Sequence, residues 1–242
     1  MTAEESEVML ADAVKNGGCL LRSDGGDPVS VLMHKELRLK LGGADRKGEY
    51  IFGLCTAPEH RCGGYASSLV EEICAESGSD FVVLIPENED LYEFYGRLGF
   101  TPGGRAASFR ACAAKSSPVS VVSGSSAAYA AYIAAAEKYD GICLLSERDF
   151  AASAAISPQT CVIGENGVCL VGSAGAEVFA PAESAVALAA SALELCGVSE
   201  ARAICPLSSA PDGAETVRIG MIRSLRGETP PESFYINNLF NL

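Results

Sequence analysis

The sequence contains no tryptophan, two histidines and few aromatic residues, 7% of the chain. Its ten cysteines include no Cys-x-x-Cys pair. The ligand spacing of a zinc site is therefore absent, and no metal is expected. Positive charge is scarce: 18 Lys and Arg stand against 31 Asp and Glu, a formal net charge of -13. A protein that tracks a phosphate backbone needs a basic stripe. None is written here, which argues against nucleic acid as a bulk partner. Long apolar runs are missing too. The most apolar stretch, 184–198, is interrupted by Glu194 and is too short to span a bilayer. The N-terminus begins acidic, without the basic and apolar regions of a signal peptide. These absences point to a soluble chain with no membrane partner.

What is present is mostly small and apolar. Of the 242 residues, 48% are hydrophobic, enough for a substantial core in one large domain or two small ones. Cys55, Cys74, Cys143, Cys161, Cys169 and Cys205 lie inside apolar runs. They read as small buried hydrophobes, kept reduced in a cytoplasm. The acidic surface would attract cationic substrates such as amines, although surface acid is more often simply solvated.

Turn signals and alternating polarity predict strands at 18–22, 29–41 and 49–56, joined as an antiparallel meander. A helix is predicted over 65–76, with Leu69, Val70 and Ile73 on one face. A continuous apolar strand follows at 81–85, of the kind covered on both faces. A short helix over 89–98 ends at Gly99, and 100–101 and 106–112 supply two more strands. The Ser-rich segment 115–126 reads as a linker. Beyond it come helices at 127–138, 147–155 and 182–196, and strands at 160–164, 167–172, 176–179, 201–205, 216–224 and 233–239.

The second half thus repeats the order meander, helix, strand. The joins are comparable as well: CTAPEHRCGGYASSLVEEIC in the first half and VFAPAESAVALAASALELC in the second. Each runs strand, Ala-Pro, then a helix ending near a cysteine. The second copy lacks the arginine and both glycines. The expected division is a first domain over 1–114 and a degenerate second copy over 115–242.

The chemistry is concentrated in PEHRCGGYA, Pro58 to Ala66. A strand-to-helix loop with glycines at the helix start exposes backbone N–H groups where the helix dipole also favours an anion. Glycine lets a diphosphate approach the backbone closely, and Arg61 adds positive charge. The loop lacks the Gly-Lys-Ser/Thr of a P-loop, and its surroundings do not fit a dinucleotide fingerprint.

The run Arg61-Cys62-Gly63-Gly64-Tyr65-Ala66 resembles the Arg/Gln-x-x-Gly-x-Gly/Ala signature of the GNAT superfamily of N-acyltransferases. The strand FVVLIP and the run NEDLYEFYGRLGF, from Asn88 to Phe100, resemble its second signature. The resemblance covers about residues 18–112. It implies an α/β (α+β) GNAT fold, a central twisted mixed sheet flanked by helices and splayed between the strands at 50–56 and 81–85. The whole chain resembles bacterial GNAT proteins with a second, degenerate acetyltransferase-like half, and so two GNAT-like lobes. Acetyl-CoA, or another acyl-CoA, would lie in the splay. Backbone groups of Leu54, Cys55 and Thr56 would meet the pantetheine arm. Arg61, Cys62, Gly63, Gly64, Tyr65 and Ala66 would hold the pyrophosphate, and Asn88 the cofactor arm. Tyr95 is the family's usual general acid.

The acyl acceptor implied is a small primary amine, which must lose a proton before it attacks. Glu49 is the chosen base, with Glu36 and His34 as alternatives. Tyr92 reads as packing. Cys55 and Cys62 have no histidine or acid at a telling spacing, which argues against an acyl-cysteine route. A full GNAT domain begins with a strand and two helices, whereas 3–16 leaves room for one helix at most. The alternative function is therefore a non-catalytic acyl-CoA-binding or regulatory protein on the same fold. The acceptor's identity and the oligomeric state are not written in the sequence.

Overall fold

The computed structural model describes residues 18–236. The segment 3–16, with room for one helix at most, and the end of the last expected strand lie outside them. In chain order the elements are β1 (Cys19–Asp24), β2 (Asp27–Leu41), β3 (Ala44–Thr56), α1 (Tyr65–Glu76), β4 (Phe81–Leu84), α2 (Glu89–Arg97), β5 (Thr101–Cys112) and β6 (Val119–Val121). They continue with α3 (Ser125–Ala136), β7 (Ile142–Leu144), α4 (Glu147–Ile156), β8 (Thr160–Gly164), β9 (Gly167–Gly172) and β10 (Gly175–Phe179). The last are α5 (Ala182–Cys196), β11 (Glu200–Cys205), β12 (Glu215–Ser224) and β13 (Tyr235–Ile236).

The chain divides into two compact units that are not continuous segments. The first is Met1–Leu39, Asp45–Gly103 and Gly220–Glu232; the second is Lys40–Ala44, Gly104–Ile219 and Ser233–Leu242. This division differs from the expected boundary at 114. The first unit recruits the segment Gly220–Glu232 because β12 pairs with β4, in antiparallel register Met221 to Leu84 and Ser224 to Phe81. No local pattern in 216–224 names that partner.

In the first unit the sheet order is β1-β2-β3-β4-β12. β1 and β2 form an antiparallel hairpin, and β3 and β4 run parallel. The amphipathic face of α1 explains its place: Leu69, Val70 and Ile73 are buried against Leu32, Ile51, Val82, Leu84, Tyr95, Phe100 and Met221. β12 is fastened by side chains as well. Arg223 grips the Glu71 carboxylate with two bonds, at 2.8 and 3.0 Å, and Arg226 Nε reaches Asp80 at 2.9 Å. At this exposure such pairs add little individually; the forked geometry of Arg223 fixes direction more than it adds stability.

In the second unit the order is β5-β11-β10-β9-β8-β6, with β7 and β13 paired in parallel. β8, β9 and β10 form an antiparallel meander, α5 follows, and β11 returns parallel to β10. The core here is built from small residues, among them Ala107, Ala111, Ala176, Ala185, Ala189, Ala192, Ala203, Cys169 and Cys205. The buried thiols of Cys143, Cys161, Cys169 and Cys205 fit the reading of cysteine as a small hydrophobe. Cys55 does not: it is exposed, and Cys74 is only half-buried. The two strands expected at 100–101 and 106–112 are one continuous strand, β5, and the expected linker contains β6. The short buried strand β7, Ile-Cys-Leu, was not expected; three residues are too few for a periodic signal.

One glycine shapes the site strand. Gly53 has φ of 58°, and a Cβ there would lie 2.1 Å from Met33 Cε. Left-handed backbone inside a strand marks a local kink that glycine alone accepts cheaply. Gly53→Ala is expected to lower stability by about 1–3 kcal/mol, from backbone strain and displacement of Met33. Urea unfolding followed by circular dichroism checks this, and an unchanged midpoint would show that the kink is not required.

Candidate active site

The site begins where two parallel strands part. β3 and β4 are in register at Gly48–Phe81, Glu49–Val82 and Tyr50–Val83. β3 continues to Thr56, whereas β4 ends at Leu84. Residues 51–56 therefore have no partner in β4, and the backbone on that side of β3 is open to a ligand. Cys55 owes its exposure to this stretch. The opposite side of β3 is anchored to β2: buried Ser30 donates to the Cys55 carbonyl at 2.9 Å and lies 2.8 Å from Thr56 Oγ1. Leu54 packs against the first unit's core.

Beyond Thr56 the chain makes a short 3-10 turn, Pro58–His60, and enters the glycine loop. Arg61 Nε donates to the Thr56 carbonyl at 3.3 Å, which ties the loop back to the strand. Cys62 has φ of 63°, the only non-glycine residue with positive φ among the described residues. Such strain costs about 1–2 kcal/mol and concentrates at functional loops. Gly64 caps α1 with φ of 79°, no side chain caps the helix, and no acidic residue stands in its first turn. The first N–H groups of α1, at Tyr65 and Ala66, are thus left to an outside acceptor. A Cβ on Gly63 would crowd the Tyr65 ring at 2.9 Å and the His60 carbonyl at 3.2 Å, while Gly64 faces open space. Arg61, Cys62, Gly63 and Gly64 are all exposed. Together they form a cradle suited to a diphosphate.

Arg22, which sequence reasoning passed over, donates to Ser68 Oγ at 3.1 and 3.0 Å and pairs with Glu72. It brings a second cation to the first half of α1. Only the hairpin register of β1 makes that visible, so no local signal announces it.

Asn88 is the N-cap of α2, its side-chain oxygen accepting from Leu91 N–H at 3.1 Å. This cap uses the oxygen and leaves the amide N–H groups to other acceptors. Tyr95, on the same helix, lies among core residues contributed by both parting strands, Ile51 from β3 and Val82 and Leu84 from β4. Its ring makes edge contacts with Phe94 and Phe100 at centroid distances of 5.0 and 5.7 Å. Burial pushes its phenol up to about 12. Tyr50, at the last paired position of β3, is raised by burial first and by the neighbouring Tyr95 second. The two hydroxyls are therefore electrostatic neighbours at the point of parting. Tyr92 packs at the edge of the same cluster.

Glu49 is buried, 3% exposed, and its Oε1 lies 2.5 Å from His34 Nδ1. Two of the three candidate bases are thus one pair on neighbouring strands. Glu36 is exposed. Among the described residues no group of three or more His, Cys, Asp or Glu could hold a metal ion, and no helix is long and apolar enough to cross a membrane.

Known families and solved structures offer comparisons for this fold and site. Residues 2–103 match the family model of the GNAT acetyltransferase domain. Solved structures share the fold. A GCN5-related N-acetyltransferase from Kribbella flavida is 20% identical over 93% of this chain and 66% of its own, with a TM-score of 0.70. One from Anabaena variabilis is 13% identical over 93% and 67%, with a TM-score of 0.72. Eis1 from Mycobacterium abscessus is 16% identical over 86% and 64%, with a TM-score of 0.64. The chain spans about two thirds of the length of these relatives. No curated protein matches the sequence.

The raised phenol has a consequence for stability. Its folded value lies above the ordinary value near 10, so the stabilisation is complete below pH 10 and is lost as pH rises toward 12. For Tyr95 the loss amounts to about 2–3 kcal/mol. Urea midpoints at pH 9 and pH 11.5 should differ less in Tyr95→Phe than in the native chain. Equal differences would mean that Tyr95 does not titrate with unfolding.

Proposed function

We propose that the chain is an acyl-CoA-dependent N-acyltransferase that moves an acyl group, acetyl first among candidates, to a small primary amine. The observation that carries this reading is the parting of β3 from β4 with Tyr95 between them. The open backbone of Leu54, Cys55 and Thr56 suits the amide-rich pantetheine arm. The cradle of Arg61, Cys62, Gly63, Gly64, Tyr65 and Ala66 suits the pyrophosphate, and Asn88 the neighbouring part of the arm. A neutral amine would attack the thioester carbon, and the oxyanion would meet backbone N–H groups at the kink around Gly53. The thiol leaving group needs a proton, and the Tyr95 hydroxyl, which burial keeps in its protonated form, can give one. The amine's own proton leaves toward the pair of Glu49 and His34.

We read the second unit as a degenerate GNAT-like lobe. Its meander, α5 and β11 repeat the topology of β1–β3, α1 and β4. The join differs: Pro181 caps α5 directly and Glu183 stands in the first turn, where an anion would be repelled. A cytoplasmic setting, with every cysteine reduced, fits the free thiols.

Calorimetry with acetyl-CoA tests the cofactor site. One equivalent per chain is expected, and two would contradict the degenerate lobe. Gly64→Glu places a negative charge in the cradle; its Cβ would meet no protein atom, and the φ of 79° adds a backbone strain of about 1–2 kcal/mol. Affinity should fall by at least about 2 kcal/mol, roughly thirtyfold, with the circular dichroism spectrum preserved. Unchanged affinity would dislodge the pyrophosphate from this loop.

Tyr95→Phe separates catalysis from binding. We expect kcat for amine-dependent thiol release to drop about 10–1000-fold, with acetyl-CoA affinity nearly kept. A silent substitution would leave Tyr95 as core packing and favour the non-catalytic, acyl-CoA-binding alternative.

A further inference from the structure

We infer that His34 is the base that takes the amine's proton and that Glu49 acts as its positioning residue. The inference rests on the acyl-transfer reading of this site. Glu49 Oε1 and His34 Nδ1 are 2.5 Å apart on neighbouring strands. A carboxylate only accepts, so Nδ1 carries the hydrogen and the neutral ring keeps its lone pair on Nε2. Among the described residues Nε2 makes no hydrogen bond. Exposure separates the roles: the His34 side chain is 18% exposed and that of Glu49 only 4%. The carboxylate is enclosed and engaged, while the imidazole keeps the larger accessible share.

The pair is also in the right place. Glu49 stands opposite Val82, one position before the last register pair of β3 and β4. Leu32, two residues before His34 on the same face of β2, and Val82 both belong to the cluster that holds Tyr95. The strand segments that carry the base and the acid therefore converge on one core cluster. The reaction balances on this arrangement. An alkylammonium gives one proton to Nε2, and the imidazolium that forms is held against the Glu49 carboxylate. The freed nitrogen attacks the thioester carbon, a C–N bond forms, and the C–S bond breaks. Sulfur takes the Tyr95 phenol proton, and the second proton shed by nitrogen restores the phenol. His34 releases its proton to water, so each turnover yields amide, thiol and one proton.

With only two histidines in the chain, the ring nitrogens can be read directly by long-range 1H–15N correlation on the full-length protein at alkaline pH. His34→Gln assigns the signals by removing them. We expect the native His34 to be the Nδ1–H tautomer. His34→Gln should lower kcat about 100-fold or more with acetyl-CoA affinity kept. Glu49→Leu should move the tautomer toward Nε2–H and lower kcat about 10–100-fold. Glu49→Gln, whose amide oxygen still accepts from Nδ1–H, should retain the tautomer and recover most of the rate. A native Nε2–H tautomer, or a His34→Gln rate within about threefold of native, would overturn the inference while leaving acyl transfer in place. So would a rate loss in Glu49→Leu without a tautomer change. Absence of amine-dependent thiol release by the native protein would overturn the acyl-transfer reading and this inference together.

Discussion

Everything at the site follows from one break in hydrogen bonding: β4 stops accompanying β3 after Tyr50 and Val83. Backbone donors and acceptors cannot be left dry inside a fold, so an unpaired strand side must face solvent or a ligand. Here it faces outward over 51–56, and the chain uses the exposure. Ser30 secures the far side of the strand, Gly53 kinks it, and the Thr56 carbonyl anchors Arg61. The helix that follows must then begin at the mouth of the opening, its uncapped end aimed at whatever lies between the strands.

The same geometry explains why Tyr95 is both a core residue and a candidate acid. Its ring is needed to fill the widening space between the strands, against Ile51, Val82 and Leu84. Burial that serves packing also holds the proton on the phenol. Packing and chemistry therefore make the same demand on this position, and the pair of phenols at Tyr50 and Tyr95 marks where the two meet.

Much of this was legible in the sequence because it is local. The α1 bounds, Tyr65–Glu76, follow from the glycine pair and from Leu69, Val70 and Ile73 on one face. The meanders follow from alternation and turn residues. The kink at Gly53 sits inside an apolar run, where a glycine reads as filler. The partnership of His34 with Glu49 depends on the register of β2 with β3, and alternation sets a strand's faces but not its pairing. Arg22 was hidden for the same reason. Cys55 misled because an apolar run normally means cover on both sides, whereas here one side of the strand is left open. The placement of β12 beside β4 is a long-range choice that ten residues of pattern cannot encode.

That placement sets the order in which the first unit can be completed. Its sheet lacks a strand until Met221–Ser224 is available, although most of its other residues lie before Gly103. During synthesis from the N-terminus, β4 must wait with an unpaired edge while the intervening chain emerges. Such an edge invites pairing with the wrong strand, and closing so long a loop slows folding. Phe81–Leu84, apolar throughout, would then be the segment of the nascent chain most in need of shelter by a chaperone.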